Sequence, residues 1–235
     1  MHFIICLLLL LAAPARADEA PIAAHLQLAR QLLQEVSPEH NHYQHHGQVR
    51  WRGDAGLFGK AAYSEVDTDC SGLLDALFAR TSSLALAGVR NTHWKAYPRA
   101  ENYYQAIVAA QGFARRQRME DVEPGDIIAA RYLNAADTGH VMIVNAKPQR
   151  LQTGLPPLQP ATVQWAVEVI DAAAAHWKGD TRYRDDGSSQ TGIGLGTVRI
   201  YAQEDGTPLG WSWSLGSASR IRTQDQLAIG QPLYP

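Results

Sequence analysis

Cysteine is scarce in this chain of 235 residues, which has only Cys6 and Cys70. Two thiols so placed exclude a disulfide-stapled scaffold and any Cys-rich metal motif. Charge of either sign is not in excess, with 21 Lys and Arg against 23 Asp and Glu and a net charge of −2. That balance argues against non-specific binding to nucleic acid or to anionic lipid. There is no internal repeat, no heptad pattern and no Gly- or Ser-rich linker. No apolar run after the first residues is long enough for a transmembrane helix.

The one long apolar run is Phe3-Ile4-Ile5-Cys6 with the leucines 7–11, followed by Ala12-Ala13-Pro14-Ala15-Arg16-Ala17. It is too short to span a bilayer, and Ala15-x-Ala17 is a small-residue cleavage site. Residues 1–17 therefore read as a secretory signal peptide, which places the protein in the periplasm or outside the cell. Cys6 lies inside the run rather than after it, against lipoprotein attachment. Residues 18–235 are long enough for one well-cored domain, expected as a monomer. The mature chain then keeps Cys70 alone. A single thiol in an oxidising compartment is a liability without a task, so its surroundings carry the functional argument.

Cys70 stands in Asp69-Cys70-Ser71-Gly72-Leu73-Leu74 at a loop-to-helix junction. Thr68 or Asp69 can cap the helix, and Leu73, Leu74, Leu77 and Phe78 recur at helical spacing. A thiol at a helix N-terminus sits beside unsatisfied N–H groups and the positive end of the macrodipole, and both favour the thiolate. A nucleophile needs that environment and a buried structural cysteine does not.

Around it, residues 22–36 form an amphipathic helix with Leu26, Ala29, Leu33 and Val36 on one face, ended by Ser37-Pro38. His40, His42, His45 and His46 follow in a polar stretch. It reads as a solvated loop, with a transition-metal site as the alternative. Residues 47–63, rich in Gly and aromatics, also read as loop. A helix is predicted from about Pro98 to Gln111, with Tyr103, Tyr104, Ile107 and Val108 apolar and Gly112 stopping it. Glu123-Pro124-Gly125-Asp126 is a tight turn delivering the strand 127–132. A second strand follows at 140–144, then a Pro-rich insertion (about 146–161) that cannot be sheet interior. The third strand, Val163 to Asp171, alternates cleanly. Later strands are expected at Thr197–Ala202 and Gly210–Leu215. Helices first and an antiparallel sheet after them give an α+β class.

Thiol catalysis needs an imidazole beside the sulfur and a third group fixing the ring. His140 opens a strand directly after Gly139 and is the best base. Asp171 ends the next strand, and antiparallel pairing carries it back towards the start of His140's strand. Glu168 and His176 are weaker candidates for the third place.

Asp69-Cys70-Ser71-Gly72-Leu73, Glu123-Pro124-Gly125-Asp126-Ile127-Ile128 and Gly139-His140-Val141-Met142-Ile143-Val144 resemble, in order, the three blocks of NlpC/P60 peptidases. These are the family's D-C-S-G-[FL] motif, its P-G-D-L strand entry and its H-V-[GA]-[IL]-[YV] strand. The resemblance implies a papain-like α+β fold with N-terminal helices packed on an antiparallel sheet. It also implies hydrolysis of amide bonds in bacterial cell-wall (peptidoglycan) peptides without metal or cofactor. Cys70, His140 and Asp171 would form the triad, and Asp69 and Ser71 would hold the free amine of the peptide stem. The family usually has His, less often Asn or Gln, where Asp171 stands. The tail from Ala172 onward, with Trp177, Gly192-x-Gly194-x-Gly196, Trp211 and Trp213, matches no part of the family pattern. The alternatives from the residues alone are a related thiol amidase or acyltransferase on another acyl group, and a non-catalytic periplasmic binding module.

Overall fold

Among the described residues every helix of eight or more residues precedes residue 109, and every strand of four or more follows residue 112. The computed structural model describes residues 22–56, 59–81, 83–91, 97–133, 135–174 and 177–235. The expected leader and His176 lie outside them. Helix α1 (Ala24–Glu35) is followed by the short strands β1 (Asn41–His42), β2 (Gln48–Arg50), β3 (Ala55–Gly56), β4 (Gly59–Lys60) and β5 (Glu65–Asp67). Helices α2 (Cys70–Thr81), α3 (Leu84–Asn91) and α4 (Ala100–Val108) come next. The rest of the chain gives β6 (Phe113–Arg116), β7 (Ile127–Arg131), β8 (Gly139–Val144), β9 (Gln149–Arg150), β10 (Val163–Ala173), β11 (Gly192–Ala202), β12 (Pro208–Ser212) and β13 (Gln226–Pro232).

The large sheet has the order β12-β11-β10-β8-β7-β13-β6, with β9 added on β10. Every pairing in it is antiparallel. The molecule is thus of the α+β class. The turn before β7 forms as its residues dictate: Pro124 presets its own φ and Gly125 takes φ +94, with Asp126 N–H donating to Glu123 O at 3.0 Å. Four of the five residues of β7 and all six of β8 are buried, so the apolar runs there are strands covered on both faces.

Alternation along these strands divides the interior in two. Ile127, Ala129, Val141, Ile143, Ile170 and Ala172 face the helices, meeting Leu26 and Leu32 of α1, Leu73, Leu77 and Phe78 of α2, and Tyr103 and Ile107 of α4. Ile128, Met142, Val144, Val167, Val169, Ile200 and Trp211 fill the other side, where the sheet curls until β12 lies against β13. Each fully buried Leu or Ile contributes about 1.5–3 kcal/mol through the apolar area it removes from water. With no disulfide in the described residues, these two packed layers carry the fold.

Several elements differ from the sequence expectation. Residues 47–63 are not loop throughout: β2 pairs with β5, which itself pairs in parallel with β1, and β3 with β4 forms a hairpin. Helix α4 stops at Val108, and both Ala110 (φ 53) and Gly112 (φ 73) turn left-handed after it. Helix α3 has no counterpart in the sequence expectation. It is short, and it packs so closely that a Cβ on Gly88 would lie 1.9 Å from Gln111 O. The tail after Ala172 supplies β11, β12 and β13, and β13 is inserted between β7 and β6. The Pro-rich stretch stays out of the sheet interior except for β9 at the edge of β10. Its carbonyls at Leu155 and Pro156 accept from buried Arg199 Nη1, each at 2.9 Å.

His25 joins distant parts of the chain. Its Nε2 donates to Gly125 O at 2.7 Å, and its Nδ1 faces the Tyr234 hydroxyl. Burial holds its pKa down at about 4, only partly offset by the Gly125 bond. The unfolded chain therefore binds a proton that the folded chain refuses between about pH 4 and 6.5. Stability should rise with pH through that window by about 3 kcal/mol from this group alone. Urea unfolding of wild type and His25→Gln across pH 4–7 checks it: the variant should lack that share of the slope.

Candidate active site

The short parallel pair β1–β5 leads into α2 and fixes where its first turn begins. Asp69 caps the helix, its Oδ1 accepting from Gly72 N–H at 2.8 Å and from the Ser71 hydroxyl at 2.9 Å. Gly72 is required in this turn, because a Cβ there would lie 2.1 Å from Thr68 Oγ1. Leu73, Leu74, Leu77 and Phe78 bury the helix flank, so the helix cannot rotate without exposing them. Cys70 is thereby held at the helix N-terminus, 6% exposed and free of any disulfide.

Helix α2 packs across β8 and β10, the strands that carry the other two predicted residues. Gly139 precedes His140 with φ +146, and a Cβ there would lie 2.0 Å from Ala130 O, so only glycine fits. The β10–β8 register pairs Val169 with Val144 and Ile170 with Ile143. Continued by one step it sets Asp171 opposite Met142, which places Asp171 diagonal to His140 on one face. The side chains meet there: His140 Nε2 donates to Asp171 Oδ2 at 2.5 Å. Cys70 lies close enough to the same ring to act on its charge. Trp213 of the C-terminal tail stands edge-on to the imidazole at 4.8 Å.

The electrostatics follow from this packing. Burial alone would lower the pKa of His140, but the Cys70 charge and the hydrogen bonds to Asp171 and Cys70 overcome it and raise it to about 10. Burial would raise that of Asp171, but the Arg182 guanidinium and the His140 bond overcome it and lower it to about 2. The ring is thus favoured as imidazolium beside an ionised Asp171.

Arg182 is the residue of this cluster that the sequence does not reveal. Its Nη2 donates to Asp171 Oδ1 at 2.6 Å and to Asp180 Oδ2 at 2.6 Å, and its Nη1 to Gly192 O at 2.9 Å. Gly194 and Gly196 make the room: a Cβ at 194 would lie 2.3 Å from Arg182 Nε, and one at 196 would lie 2.6 Å from Asp180 Oδ2. A signal was present in Gly192-x-Gly194-x-Gly196. Glycines two apart leave one face of a strand bare, which implies something bulky laid on it. Glu168, the weaker candidate, instead accepts from Asn145 Nδ2 at 2.5 Å and does not meet His140.

A cavity of about 460 Å³ opens at Cys70, with Tyr43, Asp69, Tyr97 and Asp137 in its wall. Asp69 and Ser71 line it, and Asp69 also serves the helix cap and accepts from His45 Nδ1 at 2.9 Å through Oδ2. The histidine cluster disperses. His40 stacks on Tyr63 at 3.7 Å, His42 meets Glu39 O, and His46 packs on Tyr97. No group of three or more His, Cys, Asp or Glu among the described residues is placed to hold a metal ion. Nor is any described helix long and apolar enough to cross a membrane.

Fold and site define an α+β protein in which a helix N-terminal cysteine meets a buried His–Asp–Arg chain on a large antiparallel sheet. The chain is 34% identical over 216 residues, covering 86% of its length and 93% of the relative's, to the uncharacterized protein R653 of Acanthamoeba polyphaga mimivirus, and it belongs to that protein's family. No family model and no solved structure matches it.

Because the folded pKa of His140 lies above its unfolded value, the stability it contributes is full below about pH 6.5 and lost as pH rises through about 10. Nuclear magnetic resonance of the imidazole carbons should show His140 charged up to about pH 10 in wild type. In Cys70→Ala it should discharge at clearly lower pH. Equal midpoints in the two proteins would remove the sulfur as the ring's partner.

Proposed function

We propose that this protein is an exported thiol hydrolase of papain-like fold, acting on amide bonds in cell-wall (peptidoglycan) peptides through Cys70, His140 and Asp171. One observation carries the reading: a cysteine that lines an open cavity at a helix N-terminus lies beside an imidazole whose Nε2 is held by a buried carboxylate. The cell-wall substrate rests on the ordered motifs around Cys70, Gly125 and His140 and on the leader-like first residues.

The chemistry follows from the geometry. The Cys70 thiolate attacks the carbonyl carbon, and the oxyanion that forms lies by the Cys70 N–H at the positive end of α2. The His140 imidazolium gives its proton to the leaving nitrogen as the C–N bond breaks, leaving a thioester on Cys70. Water then attacks the thioester, His140 takes a proton from it, and the acid departs as the thiolate is restored. Asp171 keeps the ring in one orientation and offsets its charge. Ser71 and Asp69 face the cavity, where a cationic amine of the stem peptide meets carboxylate oxygen.

Mass analysis of a peptidoglycan digest tests this directly. Wild type should release stem-peptide fragments, whose masses identify the scissile bond, and Cys70→Ala should lose at least about 10³-fold in rate while keeping its fold. Wild-type rates in Cys70→Ala would exclude the mechanism. Activity confined to another acyl substrate would favour the related amidase or acyltransferase.

A further inference from the structure

Cys70 and Asp171, the two partners of the His140 ring, are not symmetrically supported. Both are buried, but Cys70 lines the cavity, whereas Asp171 has a buried cation behind it in Arg182, 3% exposed. Arg182 donates to both Asp171 Oδ1 and Asp171 O, at 2.6 and 3.2 Å, leaving Asp171 Oδ2 for His140. On its outer side Arg182 is gripped by Asp180, through Nε at 2.8 Å and Nη2 at 2.6 Å. The order is therefore Asp180, Arg182, Asp171, His140, with carboxylates and cations alternating up to the ring beside which Cys70 lies. All of the support comes from residues 180–196, a part of the chain with no place in the motif pattern.

We propose that Arg182 is a positioning residue for the thiol reaction: its guanidinium keeps Asp171 anionic with one oxygen aimed at His140, and its positive charge, rather than its shape, tunes how readily Cys70 loses its proton. The proposal rests on the thiol-hydrolase reading. A buried carboxylate without a counter-ion takes up a proton, and a protonated Asp171 no longer favours the imidazolium. Removing the cation would also leave the line with excess negative charge, which disfavours a further anion on sulfur. Removing Asp180 acts in the opposite sense, because it leaves Arg182 less neutralised.

Other ionisable groups face the site. Tyr43 enters from the loop after β1, His45 from beside it, Asp69 and Asp75 from α2, Tyr103 from α4, and Tyr132 and Asp137 from the β7–β8 connection. Burial, with anionic neighbours, holds the hydroxyls of Tyr43, Tyr103 and Tyr132 neutral. The remaining groups are present in every variant compared below, so they do not alter the sign of a difference.

The test reads the thiol without any substrate. The pH dependence of iodoacetamide labelling at Cys70, resolved from Cys6 by peptide mass mapping, is measured for wild type, Arg182→Met, Arg182→Lys and Asp180→Asn. Arg182→Met should move the half-labelling point up by about one pH unit. Arg182→Lys, which keeps the charge without the fork, should stay near wild type. Asp180→Asn should move it down by less. Opposite signs for Met and Asn are the signature of charge, since mere loosening would move both the same way. No shift in Arg182→Met, or an equal upward shift in Arg182→Lys, overturns the proposal. If Arg182→Met does not fold, Asp180→Asn decides, with an unchanged or raised point counting against. Wild-type labelling no faster near neutral pH than an unactivated cysteine would defeat the thiol-hydrolase reading itself. An activated wild type with unmoved variants would defeat only the role given to Arg182.

Discussion

A buried carboxylate between two cations is the constraint on which the site depends. Asp171 touches His140 through one oxygen and Arg182 through the other, and all three side chains are almost wholly withdrawn from water. Such a cluster is costly to bury, and removing one member leaves an uncompensated charge in a medium of low dielectric constant. Its geometry must therefore be set by the surrounding backbone. Here three strands set it: β8 by its opening Gly139, β10 by its register, and β11 by its bare glycine face.

The sequence made the centre of this arrangement legible for physical reasons. Short-range signals survive without context: Asp69 before the helix, the Pro124-Gly125 turn, and the apolar runs 127–131 and 139–144 each specify local structure through backbone preference or periodicity. Asp171 was legible because period-two alternation fixes its face and antiparallel pairing fixes its end of the strand. The long Pro-rich segment between His140 and Asp171 did not disturb this. It docks by its carbonyls on Arg199 and adds only β9 to the edge of β10.

What stayed hidden is long-range. Arg182 and Asp180 lie in a stretch with little regular structure, and nothing in their spacing says which strand they cover. Strand β13, Gln226–Pro232, contains a glycine and ends in a proline, so intrinsic preference argues against it; its pairing with both β7 and β6 overrides that preference. The β2–β5 strands are two or three residues long, below the length at which alternation is readable. The histidine stretch reads as a solvated loop, and what the sequence does not show is that a turn with His46 at φ 61 sends neighbouring imidazoles to different partners.

The placement of the C-terminal strands explains how a protein with one thiol in its described residues, and no disulfide, holds a costly charged cluster in place. Strand β13 lies between β7 and β6, so the last residues of the chain lock the sheet from within rather than hang at its edge. Tyr234 then closes on His25 of the first helix, whose other nitrogen holds the turn that launches β7. The path from chain end to first helix to central turn leads to the strand that pairs Ala130 with His140. Loosening at any of these points shifts β7 and β8 together and with them the imidazole. Rigidity at the site is in this sense a property of the whole sheet, because the strands that carry His140 and Asp171 are held between β7 and β11 in its middle.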